Sequence, residues 1–258
     1  GNRPVVLYAH GTTTAKSKNM ANVTGDGEAA LTMAMFAAQG FIVVSTYYLG
    51  YDQTSNDYHP YLNAESQAVD MIDALRAAKT HLLAASATKP SAQLLITGYS
   101  QGGHVAMATH KVIERDNASE FTVTASGPMS GPYNLVGFGD IVVSPQGQVN
   151  AGATLFLPLL ITSYQRSYGD LYSVASEIYN APYDVSAPTL FPTDTPISEL
   201  LATNKLPANP AEGANQTFTN LFGANGMLKD SFRAGYATSK YRAALQRNTL
   251  IDWTPRRP

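Results

Sequence analysis

The chain has 258 residues, of which 44% are hydrophobic and 14% charged, with a formal net charge of −2. This length can bury a sizeable core in one or two domains. The near-neutral charge, with no basic cluster larger than Arg256-Arg257, argues against a nucleic-acid partner. The absence of cysteine excludes disulfides and thiolate metal sites, and no apolar run reaches the roughly 18–20 residues of a transmembrane segment.

Strands and helices alternate along the first half of the sequence. The predicted strands, all short apolar runs, cover residues 4–10, 41–47, 92–98 and 121–127. The predicted helices between them cover residues 27–39, 63–85 and 101–115. The first helix is apolar nearly all round, so we expect it to be buried. The alternation is typical of βαβ units and predicts an α/β protein with a doubly wound, mostly parallel sheet.

Ser100 lies where the third predicted strand turns into the third predicted helix. Gly98 and Gly102 flank it at two residues on either side, which gives the G-x-S-x-G pattern of a nucleophile elbow. So sharp a turn strains the serine backbone and leaves no room for side chains at the two glycines. The hydroxyl then stands clear as a candidate nucleophile, and the Gln101 amide can bind a developing oxyanion at the positive end of the helix. A chance glycine-rich turn is the alternative interpretation.

A second oxyanion donor is expected from the loop after the first predicted strand. That strand, PVVLYAH at 4–10, runs into Gly11, Thr12 and Thr13. In hydrolases with a nucleophile elbow, a backbone amide from the loop after an earlier strand completes the oxyanion hole. We therefore predict the amide of Thr12 as this donor, with Thr13 in reserve; the alternative is an ordinary polar loop.

Four stretches carry a resemblance to a known family. They are the strand-HGT segment at 4–12, YYLGYD at 47–52, HPYLNAESQAVDMIDALRAA at 59–78 and GYSQGG at 98–103. Over roughly residues 4–135 the chain resembles the α/β-hydrolase superfamily, and within it the secreted lipases and esterases of bacteria and fungi. Tyr47-Tyr48 stand where relatives often have Asp-Tyr. The resemblance implies a secreted or periplasmic serine hydrolase with no metal or organic cofactor.

Prolines and short helical stretches, such as that at 154–179, change the pattern after the fourth strand. In the resembling family an insertion at this place forms a helical cap over the active site. We therefore predict part of the hydrolase core at 1–127, a cap at 128–235 and a return to the core at 236–258, with a helix at roughly 228–247. Two interpretations of the apolar side chains in the cap stay open, an acyl pocket or the cap's own core. They concern Leu155, Phe156, Leu157, Leu159, Leu160 and Ile161.

The acid and the base that a serine nucleophile needs are not found in the chain. Hydrolases with this elbow order them as Ser, then Asp or Glu, then His. After Ser100 only His104 and His110 remain, both in the elbow helix on the wrong side of the nucleophile. The earlier histidines are assigned structural roles; they are His10, His59 and His81. None of the later aspartates directly follows a convincing strand; they are Asp140, Asp170, Asp184, Asp194, Asp230 and Asp252.

The missing acid and base lead us to interpret the chain as an interior portion of a larger hydrolase, incomplete at both ends. The segment TLIDWTPRRP at 249–258 resembles the linker before the strand that bears the acid in the family. The histidine would follow later, and the first two strands of the family would precede Gly1.

The predicted function is hydrolysis of a carboxylic ester through an acyl-enzyme on Ser100. The substrate is expected to be a small-molecule or lipid ester, and contact with a lipid interface stays open. Two alternatives remain. One is another elbow enzyme, either a peptidase or an acyltransferase. The other is a non-catalytic binding module with a hydrolase fold.

Overall fold

A parallel four-stranded sheet with the strand order β2-β1-β3-β4 forms the centre of the computed structural model. The strands are β1 (Asn2–Ala9), β2 (Ile42–Ser45), β3 (Lys89–Tyr99) and β4 (Ala125–Met129). The helices between them are α1 (Gly27–Met35), α2 (Ala64–Ala85) and α3 (Gln101–Asp116). The structure describes residues 1–54, 56–144, 149, 152–207, 216–223 and 225–258. The predicted α/β class with a parallel sheet is confirmed.

Helices cover both faces of this sheet. Successive side chains of a strand point to opposite faces, so neighbouring residues of β1 pack against different helices. Leu7 of β1 is buried in one cluster with side chains of α2 and α3. Its neighbours Val6 and Tyr8 are buried in a second cluster that includes Ala29 of α1. The sheet is therefore doubly wound, as the sequence predicts.

The expectation that the first helix is buried is wrong. Leu31, Met33 and Met35 of α1 are 56%, 44% and 52% exposed, and only Ala29 and Thr32 of this helix are buried. The helix lies on the outside of the sheet, so only one of its faces meets neighbouring side chains. Its apolar composition therefore does not report burial.

The fourth strand begins later than the sequence predicts. Pairing with β3 starts at Ala125, opposite Leu95, and not at Phe121. Phe121 and Val123 are nevertheless buried against the sheet face that α2 and α3 cover. The apolar pattern of residues 121–124 thus marks a buried extended segment that lies just before the ladder.

Residues 135–247, here called the helical region, build a separate hydrophobic cluster beside the sheet. Its helices are α4 (Leu135–Val143), α5 (Ala153–Tyr168), α6 (Tyr183–Ser186), α7 (Ile197–Ala202), α8 (Gln216–Leu221), α9 (Asp230–Gly235) and α10 (Lys240–Arg247). Within the predicted cap, residues 145–148, 150–151, 208–215 and 224 lie outside the described part. Buried Tyr241, Ala244 and Leu245 of α10 belong to the same cluster, so this packing unit extends beyond residue 235.

Two helices of this region differ in extent from the prediction. The helix predicted at 228–247 is divided, because the Ser239 hydroxyl accepts a hydrogen bond from the Arg242 amide (3.1 Å) and starts α10 as a new helix. The stretch at 154–179 contains one long helix, α5, which ends at Gly169 in a left-handed conformation (φ 74°). Glycine adopts this conformation without the steric cost of a Cβ.

The helical region leaves the sheet and returns to it at one place. The Leu250 amide donates to the Tyr133 carbonyl (2.8 Å), and the Val136 amide donates to the Thr249 hydroxyl (3.1 Å). The last residues then run past α3 to the edge strand β4, where the Ser126 amide donates to the carbonyl of residue 258 (2.9 Å). Across the described ranges, no helix combines the length and apolar character needed to cross a bilayer.

Candidate active site

Ser100 has an unusual backbone conformation between β3 and α3, with φ 58° and ψ −120°. A serine in this region of φ/ψ space is strained by about 1–3 kcal/mol. Two contacts hold it there. Its amide donates to the Met129 carbonyl of β4 (3.0 Å), and its carbonyl accepts from the Gly103 amide (3.0 Å). The neighbouring strand and the first turn of α3 therefore fix the elbow from both sides.

The glycines around Ser100 permit close approach of the backbone. A Cβ at Gly98 would overlap the Ala9 carbonyl oxygen, and a Cβ at Gly102 would overlap the carbonyl oxygens of Ala9 and His10. The end of β1 is thereby able to pass directly beside the elbow, which brings the loop after β1 to Ser100.

Gln101 follows the serine as the first residue of α3, where a backbone amide has no acceptor within the helix. Its side chain is buried, and its Nε2 lies 2.6 Å from Nε2 of His59. In the loop after β1, the Thr12 hydroxyl is hydrogen-bonded to the Tyr61 hydroxyl at 3.1 Å. Tyr61, Ser100 and Gln101 line the same cavity, so both predicted oxyanion residues lie at or next to its wall.

The loop after β1 is held by side chains from three directions. The Gly11 amide donates to the Glu28 carboxylate of α1 (2.8 Å). The Tyr48 hydroxyl donates to the carbonyl of residue 10 (2.9 Å), and the Tyr51 hydroxyl donates to the Thr13 carbonyl (2.7 Å). Thr12 thus lies between two anchored carbonyls in a loop whose backbone is preorganised.

Two of the earlier histidines lie in an aromatic cluster behind this loop. His10 stacks on Tyr48 with ring centres 4.0 Å apart, and His59 packs against Tyr51 at 4.6 Å. Burial lowers the pKa of His10 to about 4 and that of His59 to about 3, so both rings are neutral at pH 7. His81 is exposed on α2.

The two histidines of α3 do not face the serine. His104 is buried and donates through Nε2 to the carbonyl of residue 248 (2.8 Å). His110 lies between Ser126 (2.9 Å) and Glu114 (3.1 Å). Burial lowers the pKa of both rings, to about 4 for His104. All five histidines belong to the described part of the chain, and none forms a hydrogen bond with Ser100.

The aspartates that follow the elbow lie at or near the surface. Asp140, Asp170 and Asp252 form ion pairs with Arg242, Lys240 and Lys111. Asp184 is partly buried, and the exposed members are Asp140, Asp170, Asp194, Asp230 and Asp252. In the parts of the chain that the structure describes, no group of three or more His, Asp or Glu side chains is arranged to hold a metal.

A cavity of about 630 Å³ connects Ser100 with the helical region. The apolar side chains of α5 fall into two groups. Phe156, Leu157 and Leu160 line the cavity, whereas Leu159 and Ile161 are buried in the hydrophobic cluster of the helical region. Leu155 is partly buried against that cluster. Other apolar walls are supplied by Leu135, Phe138, Ile141, Phe222, Phe232 and Leu245.

The hydrogen bond between the side chains of Gln101 and His59 is the contact that the sequence does not predict. The sequence predicts a structural role for His59 as part of the HPYL turn, and its partner Gln101 lies 42 positions away. The one signal that could have found it is the HPYL motif, which carries much of the family resemblance.

Solved structures with a similar fold were found for the whole chain. The rice cell wall degrading esterase LipA from Xanthomonas oryzae matches with a TM-score of 0.86 and 28% sequence identity, over 100% of this chain and 65% of that one. A protein from Legionella pneumophila matches with a TM-score of 0.78 and 22% identity, over 100% of this chain and 64% of that one. Candida antarctica lipase A matches with a TM-score of 0.64 and 14% identity, over 99% of this chain and 56% of that one.

This chain therefore spans less than two thirds of the length of these similar structures. No protein-family model matches the sequence, and no curated protein matches it either. The likeness extends over the whole chain, from the parallel sheet through the helical region. The chain has the α/β-hydrolase fold and is structurally similar to esterases and lipases with that fold.

Proposed function

We propose that this chain supplies the nucleophile and the oxyanion hole of a serine carboxylic-ester hydrolase. The observation that carries the proposal is the strained conformation of Ser100 at the wall of an apolar cavity. Strain of this kind persists only where the surrounding structure enforces it, and it concentrates at functional sites. The 28% identity to an esterase supports the same reaction class.

In the proposed reaction, the Ser100 oxygen attacks the ester carbonyl and its proton passes to a general base. The amides of Gln101 and Thr12 donate to the oxyanion that forms on the carbonyl oxygen. One such donor contributes about 3–4 kcal/mol of barrier reduction. The alcohol leaves with a proton, and water then hydrolyses the acyl-enzyme. We propose that the histidine base and its carboxylate are supplied by residues outside this chain in the native protein.

The cavity indicates an ester with an apolar acyl group. Its walls include leucine, isoleucine and phenylalanine side chains of the helical region. We propose that this region acts as the cap of the active site and that its α4 and α5 side chains contact the acyl chain. The similarity to an esterase named for degrading a plant cell wall accords with a secreted or periplasmic enzyme.

Covalent labelling of the native protein with a fluorophosphonate tests the role of Ser100. We expect one adduct, on the peptide that contains Ser100, together with hydrolysis of a soluble nitrophenyl ester. Ser100→Ala should abolish both while leaving the circular dichroism spectrum unchanged. An adduct on another serine, or hydrolysis that survives in the Ser100→Ala variant, would overturn the proposal.

A further measurement separates this function from other chemistries of the same elbow. The products of an ester, a peptide amide and an ester with added alcohol are compared at equal concentration. Preference for the ester with free acid as the main product supports a hydrolase. Faster amide cleavage indicates a peptidase, a new ester as the main product indicates an acyltransferase, and the absence of turnover and labelling indicates a binding module.

A further inference from the structure

His59 lies directly behind the candidate oxyanion hole, with only 2% of its surface exposed. Its Nδ1 donates to the Leu49 carbonyl (2.8 Å), which fixes the neutral tautomer and leaves Nε2 as an acceptor. The amide nitrogen of the Gln101 side chain lies 2.6 Å from this acceptor. The Gln101 side chain is itself 1% exposed, so water does not compete for the bond.

This bond holds the residue that directly follows the strained Ser100 and whose backbone amide is the proposed oxyanion donor. Gln101 opens α3, and its backbone amide has no acceptor within the helix. No side chain caps the N-terminus of α3. An oxyanion donor has to be oriented before the charge develops, because reorientation during the reaction would cost the energy it supplies. The Gly103 amide holds the Ser100 carbonyl of the same peptide unit (3.0 Å), and the bond to His59 restrains that unit from the Gln101 side chain.

The tyrosines that pack against His59 also hold the loop that bears Thr12. Its ring packs against Tyr48 (5.6 Å) and Tyr51 (4.6 Å), whose hydroxyls hold the carbonyls on either side of Thr12. Tyr48, Tyr51 and His59 therefore contact both backbone segments that carry the proposed donors, namely the loop after β1 and the start of α3.

We infer that His59 is a positioning residue that orients the Gln101 amide for oxyanion binding through its bond to the Gln101 side chain. The inference rests on the proposed function, because it presupposes that this amide is a donor. If it holds, loss of the bond lowers kcat and leaves KM nearly unchanged, since the amide acts on the transition state and not on the bound ester.

Two substitutions break the bond from opposite sides in the native protein. His59→Phe removes the acceptor, and Gln101→Met removes the donor but keeps the backbone amide and the length of the side chain. Each should lower kcat for a soluble ester by about 10- to 100-fold, with KM within about twofold. The double variant should be no slower than the slower single variant, because both remove one interaction. His59→Gln, whose Oε1 can take the place of Nε2, should recover most of the lost rate.

A matched control and a second readout separate positioning from general destabilisation. His110→Phe makes the same change at a second buried histidine, which lies in α3 and contacts Ser126 and not Gln101. This variant should have lower stability and an unchanged kcat. In ¹⁵N-labelled protein the Gln101 backbone amide resonance should shift in His59→Phe and stay in place in His110→Phe.

The outcomes distinguish this inference from the proposed function. Unchanged kcat in folded His59→Phe and Gln101→Met, or an unmoved Gln101 amide resonance, would overturn the positioning role even in an active enzyme. If wild-type protein neither hydrolyses esters nor labels at Ser100, the proposed function fails, and the contact between His59 and Gln101 is then structural.

Discussion

Glu28 in the first turn of α1 accepts a hydrogen bond from the backbone amide of Gly11, at 2.8 Å. The same carboxylate oxygen accepts from the Tyr8 hydroxyl (3.0 Å), and the other oxygen pairs with Lys18 (3.1 Å). One side chain thus joins strand β1, the loop after it and the helix that follows.

Removing this acceptor should loosen the loop that bears Thr12. We expect Glu28→Ala to lower the free energy of unfolding by about 1–3 kcal/mol, because the Gly11 amide is left without a partner. Ester hydrolysis should slow as well. Glu28→Gln keeps an acceptor and should retain most of both properties. Urea unfolding and kcat of the two variants provide the measurement, and equal behaviour of Ala and Gln would contradict the expectation.

The closeness of β1 to the elbow predicts a sharp difference between two glycines. Gly102→Ala should lower stability by about 1–3 kcal/mol or more and impair activity, because its Cβ would overlap the carbonyl oxygens of Ala9 and His10. Gly127→Ala in β4 is the control, since the nearest atom there is 3.8 Å away. It should be neutral or stabilising by up to about 1 kcal/mol. Thermal unfolding of the two variants decides; similar losses would mean that the elbow has room to adjust.

Two adjacent leucines of α5 should have different effects on substrate preference. Leu160 lines the cavity and Leu159 is buried in the cluster behind it. Leu160→Trp should shift the preferred acyl chain toward shorter esters, because the larger ring fills part of the cavity. Leu159→Ala should cost about 2–5 kcal/mol of stability and leave the chain-length profile unchanged. The profile is read from kcat/KM for a series of nitrophenyl esters, and a shift in both variants would count against the acyl-pocket assignment.

The pH dependence of stability should reveal the buried carboxylate of Asp70, which accepts from the Leu49 amide (2.9 Å). Burial raises its pKa to about 6, against about 3.9 in the unfolded chain. Between these values the folded state holds a proton that the unfolded state lacks, so this group's contribution to stability falls as pH rises.

Asp70→Asn removes that contribution. Its stability relative to wild type should therefore rise by about 1 kcal/mol between pH 5 and pH 7. The buried histidines titrate in the opposite sense, but equally in both proteins, so they cancel in the difference. Urea unfolding of both proteins at the two pH values gives the measurement, and a difference that does not change with pH would exclude a raised pKa.

The parts of this molecule that the sequence predicts well are those governed by local sterics. Gly98 and Gly102 impose the conformation of Ser100 through contacts that any strand-to-helix elbow must make. The exposure of Leu31 and the late start of pairing at Ala125 were missed, because hydropathy reports neither which neighbours an apolar side chain meets nor where a ladder begins. The bond between His59 and Gln101 depends on the packing of His59 against Tyr48 and Tyr51, and the HPYL motif is the one local signal for it.

The hydrogen bond between Leu250 and Tyr133 has a consequence for how the cavity can vary. The chain leaves the sheet after Tyr133 and rejoins it at Leu250, and the Leu250 amide is hydrogen-bonded to the Tyr133 carbonyl. Residues 134–249 are therefore one long insertion whose two ends are joined by this bond. The entropic cost of closing such an insertion grows only slowly with its length. Natural variation, or a grafted segment from another protein with this fold, can therefore change the cavity walls while the elbow at Ser100 and the loop after β1 stay in place.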